Sequence, residues 1–170
     1  MKRTMIAWME DKPGVLNRVS SLFRRRNFNI ESLVVGHSEV PGISRMTFVV
    51  DSDERQLSQV KTQLAKLINV TAVQDVTDEH SVVRELALVK VHANNANRGE
   101  IMQLVDIYRA SIVDVSMEAL VIQVTGPEDR INSLIGLLQH FGITEMVRTG
   151  SVAMVRGNGH TAEKEHNGVA

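Results

Sequence analysis

Thr4-Met5-Ile6-Ala7-Trp8-Met9-Glu10-Asp11-Lys12-Pro13-Gly14-Val15-Leu16 holds an extended run, a turn and the opening of a helix. Thr4 to Met9 reads as a strand. From Pro13 to about Arg26 the apolar residues Val15, Leu16, Val19, Leu22 and Phe23 form one helical stripe. Two extended runs follow, Asn29 to Glu39 and Ile43 to Asp51, joined by the turn signal Val40-Pro41-Gly42. In the second run Met46, Phe48 and Val50 alternate with Arg45, Thr47 and Val49, as a strand requires. A second helix spans about Glu54 to Ile68 with the stripe Leu57, Val60, Leu64 and Leu67. A strand from Val70 to Val76 completes the order βαββαβ.

The rest of the chain repeats that order. Strand Val83 to Ala93 precedes a helix from about Asn97 to Ala110 that carries Ile101, Leu104, Val105 and Tyr108. Strands Ile112 to Met117 and Leu120 to Thr125 come next. A helix from Pro127 to about His140 carries Ile131, Leu134, Ile135 and Leu138, and a last strand runs from Ile143 to Val155. Five polar residues, Thr77 to Ser81, separate the halves. The expected organisation is therefore a domain over 1–77, a second over 82–156, and a polar, disordered tail over 157–170. The expected class is α+β: two tandem ferredoxin-like units, each an antiparallel sheet with both helices on one face. The run Ile30 to Val35 is more apolar than a half-buried strand needs, and pairing with a second copy would cover it. A homodimer is expected.

Composition narrows the function. The 170 residues are 43% apolar and 23% charged, with a net charge of −1 and no cysteine. That balance suits ordinary cores and carries no electrostatic footprint for nucleic acid. Thiolate zinc sites, disulfides and a Cys nucleophile are excluded, which fits a cytoplasmic setting. No run approaches the ~20 apolar residues of a membrane span, and no secretory leader is read at the N-terminus.

Asp11-Lys12-Pro13-Gly14 stands where a strand gives way to a helix. Pro13 suits a first helical turn, Asp11 could cap the free amides, and Gly14 lets a ligand approach the backbone. Free amides with the positive helix end make a carboxylate site. A plain, well-formed helix start explains the same residues equally well.

Other groupings carry less. Arg24-Arg25-Arg26 complements a helix C-terminus, with contact to a protein partner as the remaining idea. His37, His80, His92, His140, His160 and His166 show no ligand spacing. Asn69-Val70-Thr71 matches a glycosylation sequon that a cytoplasmic chain would never use. No catalytic constellation is found.

Three stretches of the first half, Glu10 to Leu16, Phe28-Asn29-Ile30-Glu31-Ser32-Leu33 and Ser44-Arg45-Met46-Thr47, together resemble the ACT domain of the small, regulatory subunit of acetolactate synthase (acetohydroxyacid synthase). Arg84 to Val91 and Ile112 to Val115 resemble that family's C-terminal domain. The resemblance implies a non-catalytic subunit. It would confer feedback inhibition by valine, leucine or isoleucine and activate the large catalytic subunit. Thiamine diphosphate, a divalent metal and FAD would belong to that partner, with no cofactor in this chain. The implied effector site lies between two ACT domains. Gly14, Val15 and Leu16 match the helix start that receives the carboxylate, Asn29 and Ile30 match second-strand positions, and Asp11 stands where many relatives carry Asn. The alternatives are an amino-acid sensor serving another partner, or a ferredoxin-like RNA binder. The latter lacks the aromatic sheet motif such binding needs.

Overall fold

The computed structural model describes residues 1–157. The elements run β1 (Lys2–Glu10), α1 (Val15–Arg25), β2 (Ile30–His37), β3 (Ile43–Asp51), α2 (Glu54–Ala65) and β4 (Val70–Asp75). They continue with β5 (Ser81–His92), α3 (Arg98–Ile107), β6 (Ser111–Val115), β7 (Ala119–Gly126), α4 (Glu128–Leu138), β8 (Ile143–Arg148) and β9 (Val152–Val155). Both βαββαβ units are present, and the α+β reading holds. Of the tail expected to be disordered over 157–170, residues 158–170, with His160 and His166, lie outside the described residues.

The first sheet has the order β2-β3-β1-β4, all antiparallel. The second repeats it as β6-β7-β5-β8, also antiparallel. In each unit the strand alternation points one row of side chains at the helices. Met5, Ala7, Met9, Met46, Phe48 and Val50 meet Val15, Val19, Leu22 and Phe23 of α1 and Leu57, Val60 and Leu64 of α2. Phe23 is the hub, its ring 5.3 Å from that of Phe48 and 6.3 Å from that of Phe28. Leu16, expected in the α1 stripe, is 44% exposed. It lies about 100° around the helix from Val15 and misses the sheet. The second core joins Ala87, Val89, Val91, Leu120, Ile122 and Val124 to Ile101, Val105, Ile131, Leu134 and Leu138. Beside it the buried Glu85 carboxylate accepts from Arg148 Nε and Nη2 at 2.6 and 3.0 Å, while Arg148 Nη1 donates to Asn132 at 2.7 Å. That pairing holds the Arg148 guanidinium above its ordinary range.

The last strand differs from expectation. Instead of one strand from Ile143 to Val155 there are two, broken at Thr149–Ser151, where Gly150 takes a left-handed φ of 84°. By its contacts the chain groups into residues 1–82 with 152–157, and residues 83–151. β9 thus belongs with the first unit. It pairs with β5, whose opening residues Ser81 and Val82 lie in that unit, and Arg156 N–H donates to the His80 carbonyl at 2.8 Å. Arg45 donates to the Ala153 carbonyl at 2.7 Å while its guanidinium lies 5.2 Å from the Trp8 ring centre. Ile6, Trp8, Thr47 and Val49, which point away from the helices, are buried as well.

Phe48→Ala should remove a fully buried ring and lower unfolding free energy by about 3–5 kcal/mol, whereas Ile68→Ala, at 88% exposure, should stay within about 0.5 kcal/mol; urea titration followed by circular dichroism compares them.

Candidate functional site

The loop between β1 and α1 is gripped from both sides by backbone. Asp11 N–H donates to the Gly42 carbonyl at 2.8 Å, in the β2–β3 turn, and Glu10 N–H donates to the Asn69 carbonyl at 2.9 Å, at the entry to β4. Side chains add a second grip. Asn69 Nδ2 donates to Glu10 Oε2 at 2.7 Å, Lys12 Nζ lies 2.8 Å from the same oxygen, and Arg18 donates to Asn69 Oδ1. The hydrogen bond from Lys12, then that from Asn69, holds the Glu10 carboxyl below its ordinary range.

This grip sets how α1 begins. Gly14 is its cap residue, with φ 85°, a left-handed conformation that glycine adopts without strain. A Cβ there would meet nothing within 4 Å. Val15 N–H makes only a long 3.3 Å bond to the Lys12 carbonyl, and Arg18 N–H returns to the Gly14 carbonyl. Among the described residues, the N–H groups of Gly14, Leu16 and Asn17 donate to no protein acceptor.

Asp11 does not cap the helix, contrary to expectation. Its amide is committed to the β2–β3 turn, and its Oδ2 lies 3.3 Å from His37 Nδ1 at the end of β2. Nor is Pro13 the first helical residue; with Gly14 it forms the turn that leads into α1.

The other helices are capped or charged differently. Asp53 and Gln56 close a capping box on α2, with bonds of 2.7 and 3.1 Å. Glu100 stands in the first turn of α3, and Glu128 and Asp129 in that of α4. Ahead of α3, Asn94 accepts from the Ala96 and Asn97 amides, and Arg98 closes over the Ser116 and Met117 carbonyls. Among the described α-helices, α1 alone has neither a side-chain cap nor an acid in its first turn. Its positive end is left to solvent or to an outside anion.

The six predicted site residues fall into two groups. Asp11, Gly14, Val15 and Leu16 stand together, although the Val15 side chain is in the core and only its backbone is available. Asn29 and Ile30 lie elsewhere. On β3, Glu10 is opposite Ile43, but Ile30 is opposite Val50. Seven residues of strand separate them, roughly 23 Å at the usual rise per residue. Asn29 is exposed, and its carbonyl accepts from Asp51 N–H at 3.3 Å. Within one copy the two groups occupy opposite ends of the sheet.

β2 is an edge strand, and Leu33 and Val35 on it are 36% and 39% exposed. Sequence reasoning missed Glu10, His37, Gly42 and Asn69. Glu10 and Asn69 are 59 residues apart, and no local motif joins them. Among the described residues no three His, Asp or Glu side chains gather as a metal site would need, and no helix is long and apolar enough to cross a membrane.

Glu10→Gln should loosen this loop at neutral pH. Since folding lowers the Glu10 pKa below 4.5, its stabilising contribution is complete above that value and vanishes as pH falls through the folded value. Wild type should therefore exceed the variant in thermal stability at neutral pH, and the gap should close in strong acid.

Comparison with known proteins places these two units. A model of the AHAS small subunit-like ACT domain matches residues 6–72, and one for the small subunit of acetolactate synthase matches residues 84–157. A probable acetolactate synthase small subunit from Archaeoglobus fulgidus is 54% identical over 93% of this chain and 99% of its own length. The acetolactate synthase small subunit of Bacillus subtilis is 46% identical over 92% of each. The crystal structure of the acetolactate synthase small subunit from Thermotoga maritima superposes with a TM-score of 0.87 at 39% identity, over 93% of this chain and 99% of that one. The two repeated units, in this order and over this length, make the chain a member of the acetolactate synthase small-subunit family, with an ACT domain as its first unit.

Proposed function

We propose that this regulatory subunit binds a free branched-chain amino acid at a site shared by two copies, and that binding feeds back on the large catalytic subunit. The open start of α1 carries this reading. A zwitterion needs donors for its carboxylate and an acceptor for its ammonium group. The unpaired amides of Leu16 and Asn17, at the positive end of an acid-free helix, supply the first. Asp11 supplies the second, because Glu10 is already shared between the Lys12 ammonium and the Asn69 amide at Oε2.

Asn29 and Ile30 join this site through a two-fold axis. Antiparallel pairing of β2 with its copy, centred near Leu33 and Val34, sets residue 30 of one copy beside residue 37 of the other. Residue 37 stands at the Asp11 end of the sheet. The exposed Leu33 and Val35 support that edge as the dimer contact. The pocket is then half loop from one copy and half strand from the other, so occupancy changes how the copies pair. A coupling of about 1–3 kcal/mol is typical of such linkage.

Selectivity follows from size. Valine exceeds alanine by two methyl-sized groups, about 0.8 kcal/mol each, or roughly tenfold in affinity. Valine and leucine differ by one, so overlap between them is expected. Thiamine diphosphate, the divalent metal and FAD stay with the large subunit in this scheme, and the carboligation of two pyruvates happens there.

Gly14→Asp places a carboxylate where the effector's carboxylate sits, and Asn29→Ala removes a group from the other half. Each should abolish valine inhibition while activation of the large subunit persists. Co-expressed, the two variants should regain part of the inhibition, because in a mixed dimer one site keeps both intact halves. Random association restores roughly a quarter of all sites. Unchanged inhibition in either variant, or no recovery in the mixture, contradicts a site built across two copies.

A further inference from the structure

We infer that His37 is a further effector-site residue, which competes with the effector's ammonium group for Asp11 and so makes effector binding proton-linked. This rests on the effector reading given above.

Two carboxylates stand at the mouth of α1. Glu10 Oε2 is engaged by both Lys12, at 2.8 Å, and Asn69, at 2.7 Å. Asp11 has one side-chain neighbour of opposite polarity, His37, whose Nδ1 lies 3.3 Å from Oδ2. Both are solvent-accessible, so an incoming ligand can reach them. Other charged groups near this end of the sheet include Arg45, Glu39 and Lys12. Arg45, opposite Gly36 on the neighbouring strand, points to Trp8 and the Ala153 carbonyl. Glu39 sits beyond Ser38 in the turn, and Lys12 is paired with Glu10.

The consequence is electrostatic. Imidazoles as a class change charge between about pH 5 and 8, while carboxylates are ionised throughout that interval. A protonated His37 satisfies Asp11 and places a cation where the ammonium must go. A neutral His37 leaves the Asp11 charge free for the ammonium. The effector binds the deprotonated form better, so its binding expels a proton, and its affinity rises with pH. A site with Asn at position 11 would carry no such charge competition. His37 ends β2, the strand proposed to pair with its copy, so it sits where the two halves of the pocket meet.

Calorimetry of the full-length chain with valine tests this, with heats measured in two buffers of different ionisation enthalpy to count protons. Wild type should bind at least about threefold more tightly at about pH 7.5 than at about pH 6.0, with net proton release. His37→Gln should bind with nearly the same affinity at both values and release no proton. His37→Lys, a permanent cation, should bind weakly at both. If valine binds but wild type and His37→Gln share one pH profile, or if affinity rises in acid, the role of His37 is overturned and the site itself stands. If no branched-chain amino acid binds at either pH, the effector reading fails and this inference with it.

Discussion

The main-chain grip on residues 10 and 11 is the constraint on which the rest depends. In an antiparallel sheet ordered β2-β3-β1-β4, the end of β1, the start of β3 and the start of β4 meet at one edge. The Gly42 and Asn69 carbonyls therefore flank the strand as it leaves the sheet. With both amides spoken for, the chain turns through Gly14 and enters α1 without a side-chain cap. The exposed helix start is a product of topology first and of local sequence second.

Leaving that start open has a stability cost. A good N-cap contributes about 1 kcal/mol, and the other three described α-helices use a capping box or first-turn acids. Local rules are broken at α1, where the proposed ligand sits, which is where such violations are expected. The repeat sharpens the point. The second unit has the same strand order, yet its matching turn is closed by Asn94, Asn97 and Arg98. One architecture thus serves an open helix start in one unit and an internally satisfied one in the other.

Much of this was legible in the sequence. The helical stripes and strand alternation located both βαββαβ units to within a few residues, because each element buries one face. What failed was local geometry at boundaries. Asp11 looked like a cap because Asp often is one, but its backbone was claimed by a turn about thirty residues away in sequence, which no window around Asp11 reveals. Leu16 looked like core because it adjoined Val15, and only the angle to the sheet separates them. The break at Gly150 was hidden inside an apolar run. The Asn69 and His37 contacts are non-local pairings that only the strand order brings together. The separation of Asn29 from Gly14 was implicit in that order, since β2 starts at the end of the sheet opposite the one where β1 finishes.

A crystal structure of the full-length chain grown with valine tests the central claim most directly. The account predicts a dimer paired through β2, with the valine carboxylate on the Leu16 and Asn17 amides of one copy and Asn29 of the other within hydrogen-bond distance of the ligand. Valine enclosed by a single copy, or a dimer that leaves β2 unpaired, would contradict it.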